Sequence, residues 1–155
     1  MEVYRSCPEK NMEKKQKVII YTDGGARGNP GPAAIGVVIG DKRYAERIGK
    51  TTNNVAEYQA IVFALKKAKQ LLSKKEAAQS LIEVRSDSEL VVRQMNGIYK
   101  IKESSLTPFF IEAWNRKQDF ASVSFVEIPR EENSVADRLV NEALDGKGEN
   151  QDLFR

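Results

Sequence analysis

The chain has 155 residues, and 25 Lys plus Arg against 22 Asp plus Glu leave a formal net charge of only +3; that length favours a single domain burying roughly 68–70% of its unfolded surface. Its 41% hydrophobic and 30% charged residues exclude a disordered chain and are those of a cytosolic protein, so a cytoplasmic location is expected. The absence of histidine and the single cysteine, Cys7, exclude serine–histidine and cysteine–histidine catalysis, imidazole–metal sites and an internal disulfide, and no run reaches the ~18–20 apolar residues that cross a bilayer.

Residues 1–16 are polar, lack periodicity and are expected to be a mobile tail without the apolar stretch of a secretory signal. Lys17–Thr22 (KVIIYT) is a short β-branched run that reads as a buried strand ending at Asp23, with a loop over Gly24–Pro32. Ala34–Ile39 and Arg43–Ile48 flank the turn signal Gly40-Asp41, so the first three strands form an antiparallel meander. After the polar stop Thr51–Asn54, Tyr58, Ile61, Val62, Leu65, Ala68 and Leu72 recur at helical spacing. Leu81–Arg85 is a fourth strand, and Ser88–Asn96 a short helix closed by Gly97. Tyr99–Thr107 is a linker before a helix from Pro108 to about Phe120. Val123–Glu127 is a fifth strand, Ile128–Asn133 a loop and Ser134–Leu144 a last helix, leaving 147–155 as a second tail around a 17–146 domain. The expected fold is α/β, a five-stranded mixed sheet flanked by helices, with helix-bridged crossovers from strand three to four and four to five.

Four carboxylates have ordinary readings when taken singly. Asp23 begins an Asp-Gly turn, Glu57 follows Asn54 at capping-box spacing, Asp87 precedes a helix as a plain N-cap would, and Asp137 follows Ser134 by three. Taken together they point elsewhere. Asp23 and Asp87 lie at the carboxyl ends of two strands, and Glu57 and Asp137 in the first turns of two helices, so all four can meet at one edge of the sheet, where ligand sites of such folds lie. Clustered carboxylates repel unless a cation neutralises them, and an all-oxygen set suits Mg²⁺ or Mn²⁺. Two such ions can activate a water and stabilise a leaving oxygen in phosphodiester hydrolysis.

The blocks Tyr21–Gly36 (YTDGGARGNPGPAAIG), Thr51–Ala60 (TTNNVAEYQA), Arg85–Gly97 (RSDSELVVRQMNG) and Pro129–Ala143 (PREENSVADRLVNEA) resemble type 1 ribonuclease H, over about residues 17–145. The resemblance implies a ribonuclease H-like fold and endonucleolytic cleavage of the RNA strand of RNA–DNA hybrids with two Mg²⁺ (or Mn²⁺) ions, giving 5′-phosphate and 3′-hydroxyl ends. It implies that Asp23 bridges both ions, that Asp137 holds the ion at the attacking water, and that Glu57 and Asp87 hold the ion facing the leaving group, with Glu57 also reaching a ribose 2′-hydroxyl. It further implies that Gly24, Gly25, Ala26 and Gly28 bring backbone close to the substrate. Asn29, Asn53 and Asn54 would read the minor groove, and Thr52 would bind a phosphate of the DNA strand. The implied partner is an RNA–DNA hybrid, with no membrane and no obligatory protein partner, for a chain acting as a monomer.

Three departures stand out. Many members carry a histidine in the loop before the last Asp; here that loop is Glu127–Asn133, and Arg130 is the stand-in, a residue that holds phosphate but cannot serve as a base. The basic helical protrusion of many bacterial members is missing, so grip would lean on Arg27, Lys100, Lys102 and Arg116. Glu89 stands where relatives often carry Gln, and an acid there repels phosphate. Two other functions compete: a non-catalytic nucleic-acid-binding module of the same fold, which needs no divalent ion, and half of an actin-like ATPase, which the chain is too short to complete.

Overall fold

The computed structural model describes residues 15–146. The two tail expectations therefore lie outside the described residues, apart from Lys15 and Gln16 of the first. Five strands, β1 (Gln16–Ala26), β2 (Gly31–Ile39), β3 (Lys42–Thr51), β4 (Ser80–Ser86) and β5 (Ser122–Glu127), form one sheet in the order β3-β2-β1-β4-β5. β1, β2 and β3 are antiparallel neighbours, as expected, and β4 runs parallel to both β1 and β5. The connection leaving β3 therefore passes β2 and β1 before the chain re-enters the sheet, so β4 lies beside β1 and not beside β3.

Five helices complete the chain: α1 (Asn53–Leu71), α2 (Lys74–Ala78), α3 (Glu89–Met95), α4 (Thr107–Lys117) and α5 (Ser134–Leu144). Short 3₁₀ turns at Ser104–Leu106 and Arg130–Asn133 stand where a linker and a loop were expected. The turn α2 escaped the sequence reading because its five residues are too short to show periodicity; a Ser73–Glu76 capping box holds it.

The alternation along β2 sorts the two faces of the sheet. Ile35, Val37 and Ile39 pack with Ile20, Ile82 and Val84 beneath α1 (Tyr58, Ile61, Leu65), and α3 adds Val91 and Met95 to this core. Ala34 faces the other way, where α5 covers it with Leu139, Val140 and Ala143. Small residues on that side let α5 lie close. A side chain at Gly36 would place its Cβ 2.4 Å from the Ala136 carbonyl oxygen and 2.9 Å from Leu139 Cβ, distances at which backbone must move.

β1 is longer than its sequence suggests. It continues through Asp23, Gly24 and Gly25 to Ala26, paired with Gly36, Ile35, Ala34 and Ala33 of β2. Glycines and an acid resemble a loop by composition, but a central strand flanked by close-packed backbone accepts them. Gly24 is buried, and a Cβ there would fall 2.3 Å from the Ala56 carbonyl and 2.6 Å from the Glu57 nitrogen. Its role in the fold is thus to let α1 touch β1, main chain to main chain.

Candidate active site

Pairing between β1 and β4 ends at the row Tyr21–Arg85. Asp23 and Asp87 each lie two residues beyond that row, so the parallel register delivers them side by side as the strands part. Glu57 reaches the same point from α1, whose backbone Gly24 holds against β1, and Asp137 reaches it from α5, whose backbone lies against Gly36. One ligand oxygen from each of Asp23, Glu57 and Asp87 falls within 4.8 Å of the others. Asp137 borders Asp23 on the α5 side and lines the same open cleft of about 480 Å³.

The capping roles that the spacing allowed are taken by other residues. Thr52, not Asn54, caps α1, with Val55 N–H donating to Thr52 Oγ1 at 3.2 Å, and Glu57 sits in the second turn. Ser88 caps α3 by accepting from Val91 N–H at 3.3 Å, which leaves Asp87 outside the helix. The N-cap residue of α5 is Asn133, and it makes no side-chain capping bond.

Electrostatics set these carboxylates apart. Burial, followed by the charges of Asp87 and Asp137, pushes the Asp23 carboxyl from 3.8 up to about 8, against the opposing hydrogen bond from Gly24 N–H. Glu57 moves well above the ordinary carboxylate value, first through burial and then through Asp23 and Asp87. Its Oε1 is fully buried, with no hydrogen-bond partner among the described residues. A buried, unpartnered carboxylate oxygen beside two further carboxylates is costly unless a cation is held there. The donor set is hard oxygen throughout and fits a divalent ion of the Mg²⁺ or Mn²⁺ type.

Gly24, Gly25, Ala26, Asn53, Asn54 and Arg130 line the cleft with the four carboxylates. Asn29 and Thr52 do not; Asn29 Oδ1 accepts from Asn53 N–H at 3.0 Å, and Thr52 serves as the cap of α1. Of the basic residues, Arg27 lines the cleft but pairs with Asp145 at 2.7 Å, and Arg116 pairs with Glu112 on α4. Lys100 and Lys102 border a separate hollow with Leu90, Ile98 and Tyr99. Glu89 is drawn aside, accepting from Tyr99 Oη at 2.9 Å and pairing with Arg93 at 3.3 Å.

Two residues were missed by the sequence reading. Asn141 lines the cleft one turn after Asp137 and donates to the Asp137 carbonyl at 3.1 Å; the i, i+4 spacing on an amphipathic helix was its signal. Asn133 is 1% exposed, and its Nδ2 donates to the Thr22 carbonyl at 2.9 Å and to Asp87 Oδ2 at 3.3 Å. It ties the turn before α5 to β1 and fixes the orientation of Asp87. Nothing in its spacing distinguishes it from a surface loop Asn.

A family model described as reverse transcriptase-like matches residues 21–143. The chain is 33% identical over 152 residues to a ribonuclease H of Clostridium botulinum, covering 84% of this chain and 97% of that one. It is 40% identical over 136 residues to the bifunctional protein Rv2228c of Mycobacterium tuberculosis, covering 83% of this chain and 36% of the relative, so it spans only about a third of that protein's length. Among solved structures, LC11-RNase H1, isolated from compost by a metagenomic approach, superimposes with a TM-score of 0.78 at 51% identity, over 84% of this chain and 96% of that one. The same enzyme in complex with an RNA/DNA hybrid gives 0.78 at 50% identity, over 83% and 97%.

Proposed function

The chain belongs to the type 1 ribonuclease H family, and we propose that it hydrolyses the RNA strand of RNA–DNA hybrids, endonucleolytically, leaving 5′-phosphate and 3′-hydroxyl ends. The observation that carries this reading is the convergence of Asp23, Glu57 and Asp87 within 4.8 Å, with Glu57 Oε1 buried and unpartnered. A pure binding module has no use for so costly a group. In this reading Asp23, Glu57, Asp87 and Asp137 hold two divalent ions, Mg²⁺ or Mn²⁺, with Asp23 shared between them. When bound, the ions supply positive charge to the attacking water and to the leaving 3′-oxygen.

The residues of the chain do the rest. Gly24, Gly25 and Ala26 present main chain to the sugar edge of the substrate, and Asn53 and Asn54 present amides to the minor groove. A hybrid groove of this kind displays 2′-hydroxyls that a DNA duplex lacks. Arg130, exposed at the cleft rim, holds a phosphate oxygen by a charge-assisted hydrogen bond and moves no proton. The test is cleavage of matched hybrid, double-stranded RNA, single-stranded RNA and DNA duplex, with and without Mg²⁺. Metal-dependent cutting of the hybrid and none of the DNA duplex is expected. Retention of hybrid without any cutting would leave a binding module in its place.

A further inference from the structure

Asn53 and Asn54 both line the carboxylate cleft, and the fold fixes their side-chain amides in opposite senses. Asn53 Oδ1 accepts from Ala26 N–H at 2.7 Å. A backbone N–H only donates, so the amide oxygen of Asn53 is consumed by the protein and its NH₂ group remains for a ligand. Asn54 Nδ2 donates to Glu103 Oε1 at 2.8 Å. A carboxylate only accepts, so the amide nitrogen of Asn54 is turned to Glu103 and its Oδ1 remains. Each partner has one hydrogen-bonding sense, and no flip of either amide preserves both bonds.

Glu103 itself has no other evident task. It occupies the N-cap position of the 3₁₀ turn Ser104–Leu106 but makes no side-chain capping bond. It is an exposed acid two residues from Ile101 and next to Lys102, close to where a polyanion would lie. Such a charge weakens phosphate binding, so its placement calls for a compensating role.

We propose that Glu103 is a positioning residue that sets specificity: it holds Asn54 as an obligate acceptor beside the donor Asn53, so that the cleft favours substrates offering a hydrogen-bond donor opposite Asn54. This rests on the hybrid-cleaving reading. A hybrid minor groove offers two donors, the 2-amino group of guanine and the ribose 2′-hydroxyl; the other bases present acceptors there. Cut sites should therefore depend on one of these two groups at one fixed distance from the scissile phosphate, and the dependence should require Glu103.

The experiment is single-turnover cleavage of a hybrid of one sequence. Inosine replaces guanine, or 2′-fluoro replaces 2′-hydroxyl, one nucleotide at a time on either side of the cut. The wild-type chain is compared with Glu103→Ala and Glu103→Gln. Loss of one neutral hydrogen bond predicts a roughly two- to tenfold drop at one position for the wild type. An inosine response assigns the donor to the base, and a 2′-fluoro response assigns it to the sugar. In Glu103→Ala the ratio at that position should fall to near unity. Glu103→Gln keeps a partner for Asn54 but lets the amide turn either way, so its ratio should lie between. A role limited to tethering Asn54 would leave Glu103→Gln at the wild-type ratio, and that outcome would overturn the inference. So would equal ratios in all three proteins, or no position with a drop. Ratios cancel the general gain in affinity expected from removing an acid. Failure of the wild type to cut any hybrid would instead refute the function proposed above, and leaves the two failures distinguishable.

Discussion

Removing the charge of Asp23 should flatten the pH dependence of stability of the metal-free protein. The Asp23 carboxyl is raised from 3.8 to about 8 in the folded chain, by burial first and by Asp87 and Asp137 next. Between those two values the native state keeps a proton that the unfolded chain has lost. Its contribution to stability is complete below about pH 4 and disappears as pH rises through about 8. Stability therefore falls with rising pH across this window, by up to ~1.4 kcal/mol per pH unit for each proton so retained. From pH 5.5 to 7.5 one proton corresponds to about 2–3 kcal/mol, a sizeable part of the ~5–15 kcal/mol of a typical domain. Glu57 is shifted in the same direction and steepens the fall.

The window is unusually free of other titrations, because the chain contains no histidine. Glu83 has the opposite sign: Arg85 and Lys17 hold its carboxyl below the usual 4.5, so its contribution is lost only as pH falls into the acid range. The assay is urea unfolding in a chelator at intervals between pH 5.5 and 7.5, with the slope in denaturant held as a check on two-state behaviour. Asp23→Asn removes one retained proton and relieves Glu57 of a neighbouring charge, so it should reduce the slope by at least one proton equivalent and raise stability at pH 7.5. Saturating Mg²⁺ should flatten the wild-type curve too, since a cation binds the deprotonated cluster. A wild-type stability that is level or rising over this range in chelator, or an Asp23→Asn protein with the full slope, would refute the argument from buried like charges.

Three further substitutions probe how the cluster is held. Gly36→Ala places a methyl group 2.4 Å from the Ala136 carbonyl; it should cost about 1–3 kcal/mol, visible as a lowered melting temperature, and weaken Mg²⁺-dependent cleavage by displacing Asp137. Asn133→Ala removes the bonds to Thr22 and Asp87 and should cost about 1–3 kcal/mol with a raised Mg²⁺ requirement measured by calorimetry; an unchanged requirement would limit Asn133 to the fold. Arg130→Ala should lower turnover, by up to ~10²–10³-fold if the guanidinium stabilises developing charge, with metal affinity unchanged and partial recovery in Arg130→Lys. Unaltered turnover would assign Arg130 to the solvated surface.

Much of the fold was legible because the apolar periods of β1, β2, β4 and α1 are strong and local. The ends of elements were less so. The sequence Asp23-Gly24-Gly25 reads as a turn by composition, yet it is strand, because what decides its conformation is pairing with Ala34–Gly36 across the sheet. The neighbour of β4 was hidden for the same reason: helix-bridged connections state that strands are parallel without stating which strand is skipped. The four carboxylates were found by their motif and by their placement at element ends. Their supports, Asn133 and Glu103, were not, since one is a loop Asn and the other an exposed acid until distant residues, 111 and 49 positions away, give them partners.

The same comparison changes what the glycines mean. Gly24 reads in sequence as room for a nucleic-acid strand, but its missing side chain is filled by the backbone of Ala56 and Glu57, and that of Gly36 by the backbone of Ala136. Each contact lies within one residue of a cluster carboxylate, Glu57 in one case and Asp137 in the other. The depth of each helix on the sheet, and with it the spacing of the acids, is thus set by main-chain contact, which is stiffer than side-chain packing. That stiffness matters because the acids repel. If α1 and α5 rested on flexible side chains, the cluster could spread and relieve its own electrostatic cost. Held by Gly24 and Gly36, it stays compressed until a proton or a cation neutralises it.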